Sequence, residues 1–226
     1  MYIMIFIISS YFGSFLYWLN TNKLSFRRSH CDNCGHVLNC FDLIPILSYV
    51  LLGGKCRYCG VKIKSDYLFW EIIIGLLNCL IYYRYGFSYN SLFLLIFVLI
   101  GISLSINDYE EMLIPNYFIL LYILLRLISV DNIKILNCFL NGLFISLYLL
   151  IIVLISNFIS KKEMMGMGDI KLFFALGMYL NIIENIYALL ISSTLGLIYC
   201  LFRKDTRVFA YGPFICLTYF MILIIK

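Results

Sequence analysis

The sequence predicts an all-α polytopic membrane protein of about eight transmembrane helices with a small cytoplasmic zinc-ribbon-like loop domain. Three observations lead there. Apolar residues make up 63% of the chain and charged residues only 13%, about half the charged share of an ordinary soluble domain. Runs of nearly unbroken Leu, Ile and Phe recur from end to end, many of them close to the ~20 residues a helix needs to cross bilayer hydrocarbon. One long polar stretch, residues 20–66, interrupts them and carries two CxxC pairs.

The first run, 2–19, has no basic residue before it and no small-residue cleavage site after it, so it reads as a retained helix and not as a secretory signal. Further spans are expected at 67–83, 91–105, 115–130, 133–156, 169–182, 185–202 and 209–225, the sixth of the eight being the shortest. The chain then divides into a first transmembrane helix (1–19), a cytoplasmic loop domain (20–66) and a bundle of seven helices (67–226).

Basic residues set the orientation. Lys23, Arg27, Arg28, Lys55, Arg57, Lys62 and Lys64 lie between spans one and two. Lys161, Lys162 and Lys171 lie around the start of span six, and Arg203, Lys204 and Arg207 precede span eight. With an even number of spans these all face one side, leaving Arg84, Arg126, Lys134 and Lys226 toward the other. The positive-inside rule makes the crowded side cytoplasmic and puts both chain ends outside. The net charge of +5 is then a property of cytoplasmic loops facing anionic lipid and needs no nucleic-acid partner.

Within the polar stretch, Cys31-Asp32-Asn33-Cys34 and Cys56-Arg57-Tyr58-Cys59 are each followed by a glycine, Gly35 and Gly60. Two such turns, 21 residues apart, match a four-thiolate zinc site. Four protein ligands leave no open coordination position, so the metal is structural, and so small a loop depends on it for order. A cytoplasmic loop disfavours the competing disulfide reading. Cys40, Cys79, Cys138, Cys200 and Cys216 read as buried apolar residues; His30 and His36 flank the first pair as outer-sphere groups.

Acidic residues near the bilayer are few. Asp108 ends span three in Asn107-Asp108-Tyr109-Glu110-Glu111-Met112-Leu113-Ile114-Pro115-Asn116, and Asp169 opens span six in Gly166-Met167-Gly168-Asp169-Ile170-Lys171. The topology places both at the cytoplasmic boundary. Carboxyls there are costly to desolvate and default to function. Two held close can share one proton, so that one activates water while the other polarises a carbonyl. Gly166 and Gly168 leave room for an extended backbone beside Asp169. The structural alternatives are a helix cap for Asp169 and a solvated loop residue for Asp108.

Gly166-Met167-Gly168-Asp169 resembles the GxGD signature of intramembrane aspartic peptidases. Its continuation, Ile170-Lys171-Leu172 through Ala175-Leu176-Gly177, resembles bacterial type IV prepilin leader peptidases in particular. The resemblance extends over nearly the whole chain: Phe12-Gly13-Ser14-Phe15-Leu16, the paired CxxC loop with Asp42-Leu43-Ile44-Pro45, the Asp108 segment, and Tyr211-Gly212-Pro213-Phe214. The chain departs from the family pattern at Asn107 and Leu68.

The resemblance implies an endopeptidase that removes the leader of type IV prepilins or pseudopilins at the cytoplasmic face of the cell membrane, with Asp108 and Asp169 catalytic. It also implies methylation of the new N-terminus by S-adenosylmethionine, with Glu71 a candidate for that step. No glycine-rich nucleotide turn marks a cofactor seat, and Glu71 at the start of span two is also explained by the helix dipole. A peptidase without methyltransferase activity therefore stays open. So do a transporter using the two aspartates for protons or cations, although no repeated halves are visible, and a non-enzymatic assembly protein that docks through its zinc loop. Oligomeric state is not legible. Cleavage of a prepilin-like peptide separates the first reading from its rivals.

Overall fold

The computed structural model describes residues 1–21, 29–31, 33–130, 134–160, 165–202 and 209–226. Asp32 and the basic residues Lys23, Arg27, Arg28, Lys161, Lys162, Arg203, Lys204 and Arg207 lie outside them. The chain separates into two compact units, Met1–Ser91 and Leu92–Lys226.

The first unit holds helix α1 (Tyr2–Thr21), a 3-10 turn (Cys40–Leu43), the short helix α2 (Leu47–Leu51) and helix α3 (Ser65–Tyr85). Helices α1 and α3 form an antiparallel hairpin that packs closely at glycines. A Cβ on Gly75 would stand 2.6 Å from the Phe6 ring, and one on Gly13 would stand 3.1 Å from the Trp70 carbonyl oxygen. Small residues at a crossing are how helices in lipid gain packing where no hydrophobic effect drives them together. Aromatic pairs close both ends, Tyr2 against Tyr82 and Tyr17 against Tyr67, with ring centroids 5.2 and 4.5 Å apart.

The second unit is built from α4 (Tyr89–Glu111), α5 (Asn116–Ser129), α6 (Ile135–Ser160), α7 (Met167–Gly177), α8 (Ile182–Phe202) and α9 (Gly212–Ile225). Its centre is α7, whose Leu172, Phe173, Ala175 and Leu176 are fully buried. Helix α6 lies directly on it: a Cβ at Gly142 would come 2.5 Å from the Phe174 carbonyl oxygen, and one at Gly177 would come 2.7 Å from Ile145. On the far side Arg126 of α5 donates through Nε to the Met178 carbonyl at 2.9 Å and stands over the Tyr179 ring. A cation inside an apolar bundle is thus occupied by a backbone acceptor and an aromatic face.

Each expected run is helical, and among the described residues four helices, α3, α4, α6 and α8, are long and apolar enough to cross a membrane. The sixth run departs most. Helix α7 stops after 11 residues, about 16 Å of rise against ~30 Å of hydrocarbon, so regular helix covers only part of the expected 169–182 run. Fully buried Asn185 ends it, its side-chain amide donating to the carbonyls of Gly177 and Leu180 at 3.0 and 3.3 Å. Helix α4 also runs past the expected residue 105 to Glu111, which places Asp108 inside the helix.

The α6–α7 crossing yields a direct expectation. Gly142→Val puts a branched side chain against a backbone oxygen that cannot swing away, at a cost of about 1–3 kcal/mol. The thermal midpoint in detergent should fall clearly; an unchanged midpoint contradicts this packing.

Candidate active site and metal centre

Asp108 is 5% exposed. Its Oδ2 accepts the backbone N–H of Gly212 at 2.8 Å. Gly212 is the first residue of α9, where backbone donors have no intrahelical partner, and the next residue, Pro213, has no N–H to offer. The free donor and the positive end of the helix therefore converge on one carboxyl. Only glycine fits there, because a Cβ would sit 2.8 Å from Asp108 Oδ2 and 3.1 Å from Leu104. This explains Tyr211-Gly212-Pro213 physically, a role that sequence reading did not assign to Gly212.

Asp169 lies in the first turn of α7, with its own N–H donating to the Gly166 carbonyl at 3.2 Å. Gly166 and Gly168 do not serve a left-handed backbone. Their value is space: a Cβ on Gly168 would press on Ile114 at 3.2 Å, and one on Gly166 would stand 3.5 Å from Asp169 Oδ2. Asp169 and Asp108 are within electrostatic reach of each other, as are Asp169 and Tyr211. The structure thus brings the two sequence-nominated carboxyls together.

The connection from α4 to α5 packs against the first turns of α7. Met112 turns the chain at φ 52, Ile114 covers Gly168, and Asn116 Oδ1 accepts Lys171 Nζ at 3.3 Å. Tyr211, whose hydroxyl is 2.9 Å from Ser192 Oγ, completes the surroundings. Ile114, Asn116, Ser192 and Tyr211 escaped sequence reasoning as site residues, although the Ile-Pro-Asn and Tyr-Gly-Pro strings were visible. Such a carboxyl pair can share a proton, bind a water between its members and pass protons to and from an attacked carbonyl.

In the first unit, Cys31, Cys34, Cys56 and Cys59 bring their sulfurs within 4.8 Å of one another, with Cys31 and Cys59 at 3.7 Å. Thiolates about 2.3 Å from a tetrahedral zinc stand about 3.8 Å apart, so the donor set fits the ion. The two turns are built alike. Gly35 N donates to the Cys31 carbonyl and Gly60 N to the Cys56 carbonyl, and both glycines hold φ near the left-handed region at 68° and 70°. The His36 backbone N–H favours the Cys34 thiolate, but desolvation and bonds to the Cys59 and Cys31 thiols prevail and push it up to about 11. A bound dication removes that crowding by displacing the protons.

His36 stacks on Tyr58 with ring centroids 3.7 Å apart, an outer position joining the two turns. Asp42 ties the 3-10 turn to the second of them, pairing with Arg57 Nε at 2.9 Å.

Glu71 is elsewhere in that unit. Buried in α3, its Oε2 accepts the backbone N–H of Ile46 at 2.7 Å, and the Ser14 side chain hydrogen-bonds it from α1.

The Bacterial Peptidase A24 N-terminal domain family matches residues 3–85, and the Type IV leader peptidase family matches residues 93–201. The two matches meet near the division between the compact units. The chain is 32% identical to a prepilin leader peptidase/N-methyltransferase of Vibrio cholerae over 204 residues, which is 88% of this chain and 78% of the relative. It is 34% identical to one of Neisseria gonorrhoeae over 82% of this chain and 66% of the relative. A type 4 prepilin-like proteins leader peptide-processing enzyme of Escherichia coli is 31% identical over 84% and 73%. No solved structure matches the chain.

The sulfur geometry sets the metal expectation. Purified protein should carry about one zinc per chain by elemental analysis, and Cys31→Ala/Cys56→Ala should lose it while the helical signal of the bundle persists. Metal retained by that double variant would exclude the four-cysteine site.

Proposed function

The chain belongs to the type IV leader peptidase family, and from that premise we propose that Asp108 and Asp169 are the catalytic pair with which it cleaves prepilin leader peptides. The single observation that carries this reading is the convergence of two buried or half-buried carboxyls from α4 and α7, with the Gly212 N–H fixed on one of them. One carboxylate takes a proton from water as the water oxygen attacks the scissile carbonyl. The protonated partner donates to the carbonyl oxygen, and collapse of the tetrahedral species sends a proton to the leaving amine. Gly166 leaves the approach to Asp169 clear for an extended substrate, and Gly168 makes room for Ile114 against the first turn of α7.

Type IV prepilins and pseudopilins are the proposed substrates, lying with their leaders at the cytoplasmic membrane face. Four apolar helices and the family make this a multi-pass inner-membrane protein. The finer reading places both termini outside and the cysteine loop and aspartates inside, as the basic residues argue. Structural zinc on Cys31, Cys34, Cys56 and Cys59 orders the loop, in keeping with the fit of the four sulfurs.

The named relatives are also N-methyltransferases, and methylation of the newly exposed amine is proposed for this chain as its second activity. The methyl group would come from S-adenosylmethionine. The described residues of the first unit do not form a recognisable seat for that molecule: the buried carboxylate there, Glu71, is already taken by Ile46 and Ser14. These contacts support a positioning role for Glu71.

Replacing either aspartate with asparagine should lower cleavage of a purified prepilin by at least ~100-fold, with folding retained because volume is conserved. Near-normal cleavage by either variant removes the mechanism. Gly212→Ala should also impair cleavage, since its methyl group displaces the Asp108 carboxyl, while expression and zinc content stay unchanged. Product masses with and without S-adenosylmethionine decide the second activity: absence of a methyl increment in the wild type removes it.

A further inference from the structure

Residues 44–54 are not an ordinary surface loop. Ile46 sits at φ 63 and ψ −51, a conformation a β-branched side chain adopts only when its surroundings impose it. Its N–H reaches Glu71, which lies six residues inside α3, about 9 Å along the helix axis from Ser65. Helix α3 is long and apolar enough to span a membrane. A segment tied at that depth stands beside the bilayer boundary, clear of bulk water.

The segment is equipped for such a place. Ser48, Val50, Leu52, Gly53 and Gly54 all donate their N–H groups to carbonyls of residues 44–50, so the turn satisfies much of its own backbone, as a segment leaving water must. In α2, Leu47, Val50 and Leu51 fall at i, i+3 and i+4, on one face, and are 55%, 65% and 77% exposed. Phe41 in the preceding 3-10 turn is 73% exposed. A cluster of large apolar side chains facing outward marks a contact surface.

We propose that residues 41–51 form an interfacial membrane-contact element. Glu71 holds the Ile46 turn so that Phe41, Leu47, Val50 and Leu51 enter the headgroup–acyl boundary of the phospholipid surface. The occupant of this face is lipid, because the face is tethered to a membrane-crossing helix inside its apolar length and consists of side chains suited to that boundary. Glu71 thereby positions the cysteine-bearing loop at the bilayer, whether or not the chain methylates its product.

The test uses the full zinc-loaded chain in phospholipid vesicles, with an environment-sensitive fluorescent amino acid installed at Leu51 or, as a control, at exposed Lys62. Brominated acyl chains should quench position 51 and leave position 62 untouched, while aqueous iodide should do the reverse. Lipid quenching at 51 should be lost in Glu71→Ala. It should return in Glu71→Gln, whose amide oxygen can still accept from Ile46 and whose NH2 can donate to Ser14. Position 51 quenched by iodide alone, or by neither reagent as expected for a protein partner, overturns the proposal. Equal lipid quenching in Glu71→Ala overturns the role of Glu71. If Glu71→Ala fails to assemble, Ser14→Ala together with the wild-type pair of positions supplies the decision.

Discussion

A polar group deep in an apolar bundle governs the second unit. Asn185, on α8, closes the end of α7 by donating to the carbonyl of its last residue, Gly177, and to that of Leu180 in the connection beyond, and its own oxygen accepts the Tyr219 hydroxyl of α9 at 2.8 Å. A helix that stops inside a membrane protein leaves carbonyls that lipid cannot satisfy, each costing several kcal/mol. One carboxamide meets that demand from the neighbouring helix and ties a third to the same point. With its end fixed, α7 is held by α6 through Gly142 and Gly177 and by α5 through Arg126, and its first turn presents Asp169. The position of one aspartate therefore depends on a carboxamide at the opposite end of its helix.

The first unit is organised on other terms. Its hairpin is held by close approach at Gly13 and Gly75, but the described residues between 29 and 64 contain little buried apolar area from which to make a core. There the four sulfurs, the Asp42–Arg57 pair and the His36–Tyr58 stack substitute for one. Glu71 joins the two systems. It is the point where an irregular loop acquires a fixed relation to α1 and α3, and the strained backbone of Ile46 marks where that relation is imposed.

Several features were legible in the sequence because they are local or rare. The CxxC-Gly turns announce themselves by spacing, and the structure gives both the same backbone bonds. Asp108 and Asp169 stood out because carboxyls are scarce in so apolar a chain, and the two do converge. What stayed hidden depends on distant partners. Nothing in Asn185 or Tyr211 says which helix it will meet, and the need for glycine at 212 appears only once Asp108 is 104 residues back in the chain and 2.8 Å away in space. The number of crossings was less legible: an apolar run records burial but not in what, and among the described residues four helices are long and apolar enough to cross.

Asp169 opens α7, and beyond it toward the Asn185 end come Leu172, Phe173, Ala175 and Leu176, all without solvent exposure, with the Tyr219 ring 6.0 Å from that of Phe173. Ionisable groups set into a membrane carry a hazard, since a file of water reaching them from both sides would conduct protons and dissipate the gradient the cell lives on. Those four side chains along α7 leave no solvent-exposed surface from which such a file could start.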